Sequence, residues 1–299
     1  MQVNWLSVNI SKTKNHKALF SFAGIKVVYG ESQDTFTSQV IESTNVKDAY
    51  NYLQTKNIQS IAKAVFCEGC EINSSCLPFI EALAYKGYAY FWRFDDLLWF
   101  LKFAMRLIYN PNDIIDLMHT VERGNHSANV AQLCSYLGEA CGLTDFPWED
   151  ALYHDIGKIA IPQSLFFAPR YLTEVEKRFV RLHVIHGRNL IKTLNFNGIK
   201  ELFALYHHEK YNGEGYVKGL KGSDIPKFVR ILTLCDVYEA LSSNRSYRSA
   251  LDEDIIFSFL QSKSGGWFDP ELVTIFLDIL QENNNSKKTQ KRGTIKYES

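Results

Sequence analysis

The sequence predicts an α+β protein: a C-terminal all-α helical bundle preceded by a smaller N-terminal α/β domain. Three observations carry this. Strand-like and helix-like stretches alternate through about residue 105, as in a small α/β unit. From Asn110 to Asn283 apolar residues recur almost throughout at helical spacing. Beyond that, Lys287, Lys288, Lys291 and Arg292 mark a polar, basic stretch that reads as a disordered tail. The expected boundaries are therefore 1–105, 106–283 and 284–299.

In chain order, residues 18–29 are β-branched and aromatic between turn formers, so strands are expected. Residues 46–55 have helical spacing, 58–66 read as a strand or short buried helix, 75–86 as a helix and 88–92 as a strand. This order resembles that of a receiver domain, but no convincing acidic pocket with a phosphoacceptor Asp accompanies it. Residues 94–109, with Asp95 and Asp96 near the start, form a helix joining the two halves. Asn110-Pro-Asn-Asp113 then breaks and restarts the helical pattern. Helices are expected at 114–122, 127–141, 173–194, 226–242 and 270–280. There is no internal repeat.

Balanced charge, with a pI near 7.1, argues against a partner such as a nucleic acid polymer bound through bulk charge. The most apolar stretch, 97–109, is interrupted by Lys102 and Arg106, so no membrane span is expected. No signal-peptide pattern opens the chain, and six irregularly spaced cysteines read as reduced thiols of a cytoplasmic protein. Cys67-Glu-Gly-Cys70 with Cys76 could bind metal or cycle as a dithiol. Only three cysteines cluster where a closed structural site wants four ligands, which favours incidental thiols.

The chemistry concentrates in the helical half. His154 and Asp155 stand side by side at the end of an apolar run, with Gly157 and Lys158 following. His126, His154, His183 and the pair His207 and His208 recur at about the length of one helix plus its connection, and Asp236 interrupts an apolar helix. Successive helices of a bundle can each deliver one ligand inward. A single histidine on an amphipathic helix is more often a core or surface residue, and His16, His119 and His186 read that way. An unpaired buried carboxylate is costly, so Asp236 asks for a partner. Two divalent metals sharing Asp155 would suit the set, with imidazole and carboxylate favouring iron, manganese, zinc or cobalt. Such a pair activates water against a phosphoester, and Lys158, Arg245 and Arg248 could meet the phosphates.

These residues, with His183-Val-Ile-His-Gly187, the segment from His207 to Pro226 and Arg245-Ser-Tyr-Arg248, resemble the HD-GYP family from about Ile114 to Leu280. Its members are bacterial cyclic di-GMP phosphodiesterases within the HD superfamily of metal-dependent phosphohydrolases. The resemblance implies an HD-type helical domain with two metals, iron and manganese being typical. One would take His126, His154, Asp155 and Asp236, and the other Asp155, His183, His207 and His208. A third metal would need another carboxylate near His126, which Glu122 could supply. Catalysis would fall to Asp155 and Lys158, with attack by a metal-bridging hydroxide. Lys158, Gly215, Tyr216, Arg245 and Arg248 would bind substrate. The Gly213–Tyr216 loop would also receive a signalling protein partner, and a homodimer is compatible with the resemblance.

Two residues depart from the family pattern. Val217 stands where proline gives the motif its name, and Asn212 where Asp is usual. Proline fixes φ, so Val217 is expected to loosen the loop without touching the ligand set. The expected function is hydrolysis of cyclic di-GMP to linear pGpG or GMP. Two alternatives are hydrolysis of another cyclic dinucleotide such as cyclic GMP-AMP, and a non-catalytic module that binds a dinucleotide or a protein.

Overall fold

The computed structural model describes residues 2–8, 26–29, 38–54, 62–110, 113–244 and 249–294. They group into two compact units, Met1–Gly124 with Tyr153–Leu205, and Asn125–Leu152 with Tyr206–Ser299.

The first unit is built on a five-stranded sheet, parallel throughout: β1 (Gln2–Val8), β2 (Lys26–Tyr29), β3 (Ser38–Ser43), β4 (Ala62–Phe66) and β5 (Tyr88–Phe91). Its order is β2-β1-β3-β4-β5, the doubly wound arrangement that receiver-like folds share. Val40 sits opposite Ala64, and Ala64 opposite Ala89. The residues of β4 from Ala64 to Phe66 and all of β5 are buried, the near-continuous apolar reading of a covered parallel strand. Of the strands expected in 18–29, only β2 lies within the described residues.

Helix α1 (Val46–Leu53) starts where the Asn45 side chain accepts from Asp48 N at 2.9 Å. Helix α2 (Leu77–Tyr85) carries a proline in its first turn, where no N–H is missed. Helix α3 (Phe94–Tyr109) packs on β4 and β5, and α4 (Ile114–Glu122) ends at Arg123, left-handed at φ 54. After the one-turn α6 (Gln163–Phe166) come α7 (Glu174–Val180), α8 (His183–Thr193) and α9 (Gly198–Tyr206). The single helix expected over 173–194 is thus two. A Thr173–Glu176 capping box opens α7, and the chain turns at Arg181 and Leu182 before α8.

Residues 153–205 group with the sheet, so the compact units do not follow the expected cut at 105. Their packing explains it. Trp92 meets Phe179 edge-on at 5.9 Å, Asn189 Nδ2 donates to Ala84 O at 2.8 Å, and buried Asp96 accepts from Ser164 N at 3.0 Å.

The second unit is all helical. Helix α5 (His126–Ala140) packs along α10 (Lys227–Ser242), with α11 (Glu253–Ser262) and α12 (Pro270–Thr294) against them. Val130, Cys134, Leu137, Leu232, Cys235, Leu260 and Phe276 form its core. Gly138 lets the Trp148 indole lie on α5, since a Cβ there would stand 2.2 Å from the ring. Helix α12 runs to Thr294, past the point where a disordered tail was expected. Lysine and glutamine propagate a helix well, and no proline stops this one. Among the described residues no helix is long and apolar enough to cross a membrane.

Candidate metal centre and substrate loop

In the first unit the site is organised by Asp155. His154 and Asp155 do not end an α-helix, as the apolar run suggested. They fall between two 3₁₀ stretches, Trp148–Tyr153 and Ile156–Ala160. That break lets neighbours converge where helix geometry would splay them. His154 Nε2 lies 3.2 Å from Asp155 Oδ2, and His183 Nε2 lies 3.4 Å from Oδ1, so each carboxylate oxygen faces one imidazole. All three residues are buried. His183 Nδ1 donates to Val180 O at 2.8 Å, across the turn that separates α7 from α8. This fixes the tautomer and leaves the Nε2 lone pair directed at the Asp155 side.

Glu122, His154 and Asp155 each offer a ligand atom within 4.8 Å of the others. Lys158 Nζ closes on Asp155 Oδ2 and stands 3.7 Å from Glu122 Oε1, so the cation is held between two candidate ligand carboxylates. Gly157 makes this closeness possible. The 3₁₀ stretch packs so tightly on α8 that a Cβ at Gly157 would meet His183 O at 1.9 Å and Gly187 N at 2.4 Å.

In the second unit His126 opens α5 and faces α10. Its Nε2 lies 2.9 Å from Asp236 Oδ1, and its Nδ1 is bonded to Glu239 Oε2. Glu239 also accepts from Asn129 Nδ2 at 3.1 Å and Ser243 Oγ at 2.7 Å. Burial raises the Glu239 pKa, but the His126, Ser243 and Asn129 bonds outweigh it and bring the carboxyl down to about 2. A carboxylate holding one imidazole nitrogen while the other faces a ligand is the usual outer support of a metal histidine.

His207 and His208 follow α9, their rings 4.1 Å apart, and Tyr216 stacks on His208 at 4.8 Å. Buried Glu209 anchors the loop beyond: Lys218 N and Leu220 N donate to it at 2.6 and 3.0 Å. Tyr216 N donates to His208 O, Tyr211 N to Trp267 O and Asn212 N to Gly266 O. The loosening expected of Val217 is therefore opposed by bonds that need no proline. Asn212 Oδ1 accepts from Glu214 N at 3.0 Å, a role Asp could fill equally. A Cβ at Gly215 would meet Lys210 N at 2.4 Å, so only glycine fits. Arg245 and Arg248 lie outside the described residues.

Sequence reasoning missed Glu239 and Glu209. Both leave a signal in hindsight: Glu239 falls one turn after Asp236 on an apolar helix, and Glu209 directly follows the histidine pair. The cysteines go the other way. Burial, with Cys70 nearby, pushes the Cys67 thiol up to about 12, where it is a poor ligand or nucleophile. Among the described residues no three-ligand cluster includes Cys67, Cys70 or Cys76.

Within each unit the donors are imidazoles and carboxylates that are buried or half-buried, a set that fits a divalent transition metal. A profile of the HD domain matches residues 111–272. The chain belongs to the HD domain family. It is 34% identical over 186 residues to the 3'3'-cGAMP-specific phosphodiesterase 2 of Vibrio cholerae, covering 60% of this chain and 35% of that protein. It is 40% identical over 126 residues to a cyclic di-GMP phosphodiesterase response regulator of Xanthomonas campestris pv. campestris, covering 42% of this chain and 33% of the relative. A cyclic di-GMP phosphodiesterase of Thermotoga maritima is 29% identical over 209 residues, 68% of this chain and 55% of that protein. The HD-domain chain thus spans a third to about half the length of these relatives.

Proposed function

We propose that the chain is a metal-dependent phosphodiesterase that opens the cyclic dinucleotide cyclic di-GMP, giving linear pGpG or GMP. The observation that carries this reading is the buried Asp155 carboxylate, with His154 and His183 on its two oxygens and Lys158 closing on it, inside the segment that matches the HD domain. The ligand set is His126, His154, Asp155, His183, His207, His208 and Asp236, enough for two divalent ions, iron or manganese first. Glu122 is the carboxylate available to a third. Such ions supply an activated water and Lewis-acid stabilisation of the phosphorane-like charge.

The chain's own residues do the rest. Val180 O and Glu239 orient the imidazoles of His183 and His126. Lys158 places positive charge beside the ligand carboxylates, where a phosphate would meet it. Tyr216 and Gly215 would present the loop to the bases, and the resemblance assigns Arg245 and Arg248 to the phosphates. The irregularly spaced free cysteines favour a cytoplasmic setting, and the Gly213–Tyr216 loop is the candidate surface for a signalling protein.

Cyclic GMP-AMP is the second substrate reading. It rests on the relative specific for that nucleotide and on Val217 in the loop. The test is turnover of both nucleotides by anaerobically purified protein, with metal content measured on the same sample. Hydrolysis with about two metals per chain, abolished in Asp155→Ala, is expected. Near wild-type turnover by Asp155→Ala would refute the shared-carboxylate centre. Full metal loading without turnover of either nucleotide would replace the enzyme by a binding module.

A further inference from the structure

The first unit contains a cavity of about 160 Å³ away from Asp155. It is lined by Lys63 of β4, Lys86 before β5, and His186, Asn189 and Lys192 of α8, over an apolar floor that includes Phe100. No carboxylate lines it among the described residues. Three lysines and a histidine without an acid give the cavity a net positive lining, which attracts anions.

The partners of these cations are mostly neutral. Lys63 Nζ donates to Lys86 O at 2.9 Å and lies 4.9 Å from the centre of the Tyr88 ring. Lys86 Nζ donates to Leu53 O at 3.2 Å and to Gln54 Oε1 at 3.3 Å. Among the described residues, Lys192 alone of the three reaches a carboxylate, Glu201 Oε1 at 3.2 Å. His186 is 4% exposed, and among the described residues its ring makes no hydrogen bond or ion pair. His186 lines the cavity, where an imidazole N–H can be offered to an occupant.

We propose that this cavity is a second ligand site, taking a small molecule that bears a doubly charged oxyanion, a phosphate or a dicarboxylate. The lysines supply the charge, His186 an N–H, and the Phe100 floor admits a small carbon skeleton. Burial lowers the pKa of Lys63, and an anion beside the ammonium would relieve that strain on its charge. The occupant would press on α8 one turn from His183, yet the site itself stands whether or not the chain hydrolyses a cyclic dinucleotide.

Calorimetric titration of the full chain with inorganic phosphate, and separately with malonate, at constant ionic strength tests this. Wild type, Lys63→Met and Asp155→Ala are compared. Saturable binding is expected that survives Asp155→Ala and weakens at least tenfold in Lys63→Met. Preference for phosphate assigns a phosphorylated compound, and preference for malonate a dicarboxylate. Should Lys63→Met fail to fold, Lys192→Met, with a side chain 49% exposed, replaces it and should weaken binding severalfold. Ring-nitrogen spectra of histidine-labelled protein should show His186 shifting on titration. No saturable binding of either anion, binding unchanged in the lysine variants, or binding lost in Asp155→Ala overturns the proposal.

Discussion

Gly157→Ala is the sharpest test of how the centre is held. The new methyl would stand 1.9 Å from His183 O and 2.4 Å from Gly187 N, both backbone atoms of one helix. Real Cβ contacts essentially never fall under 3.0 Å, so α8 must retreat by roughly 1 Å. No side-chain rotation can absorb this. The movement pulls His183 Nε2 from its 3.4 Å station beside Asp155 Oδ1. A misplacement near 1 Å at a reacting centre costs about a hundredfold in rate, or roughly 2.7 kcal/mol. Overpacking adds about 1–3 kcal/mol of lost stability, so kcat/KM must be read below the variant's own melting range. Gly198→Ala is the control, since its methyl would meet nothing within 4 Å, and it should turn over like wild type. Activity of Gly157→Ala within threefold of wild type would refute the claim that this contact sets the geometry.

Three further perturbations separate the parts of the site. Glu239→Gln removes the charge holding His126 Nδ1 and should lower metal affinity ten- to a hundredfold in competition with a chelator; equal affinity would show the contact to be incidental. Glu209→Gln weakens the acceptor for Lys218 N and Leu220 N, so hydrogen exchange at those two amides should quicken about tenfold or more, and unchanged exchange would exclude Glu209 as the loop's anchor. Burial holds the His186 pKa at about 4 against an ordinary 6.5. The folded state therefore binds fewer protons between those values, and stability present above pH 6.5 is lost as pH falls towards 4, by on the order of 3 kcal/mol. Denaturant melts from pH 7 to 4.5 should lose that part of their slope in His186→Gln; parallel profiles would show that His186 is not buried neutral.

The helices were legible because their signals are local. Asn45, Thr173 with Glu176, and Pro78 mark helix starts that any reader of caps can find. The sheet was legible in kind, from the β-branched and aromatic runs, whereas its order is a long-range property that no local pattern carries. The split between α7 and α8 escaped because Arg181 and Leu182 are ordinary helix formers, and the turn there serves packing and the His183–Val180 bond. The metal-type residues announced themselves by residue type, since His and Asp in apolar runs ask for partners. Glu239 and Glu209 did not, because a glutamate on a helix or in a polar loop is unremarkable until burial is known. The lysine-lined cavity was wholly illegible: Lys63, Lys86 and Lys192 lie far apart in sequence, and His186 passed for an ordinary core histidine.

The grouping of residues 153–205 with the sheet bears on how such a protein can evolve. Signalling domains are exchanged between genes most readily at seams that few interactions cross. A seam at residue 105 would strand Asn189 without Ala84 O, Arg178 without Glu81, Ser164 without Asp96 and Phe179 without Trp92. A foreign input domain spliced on there would inherit the His183 helix with its inner face stripped of its cover. A chimera cut at residue 105 should therefore be markedly less stable than one that carries the sheet together with residues 153–205.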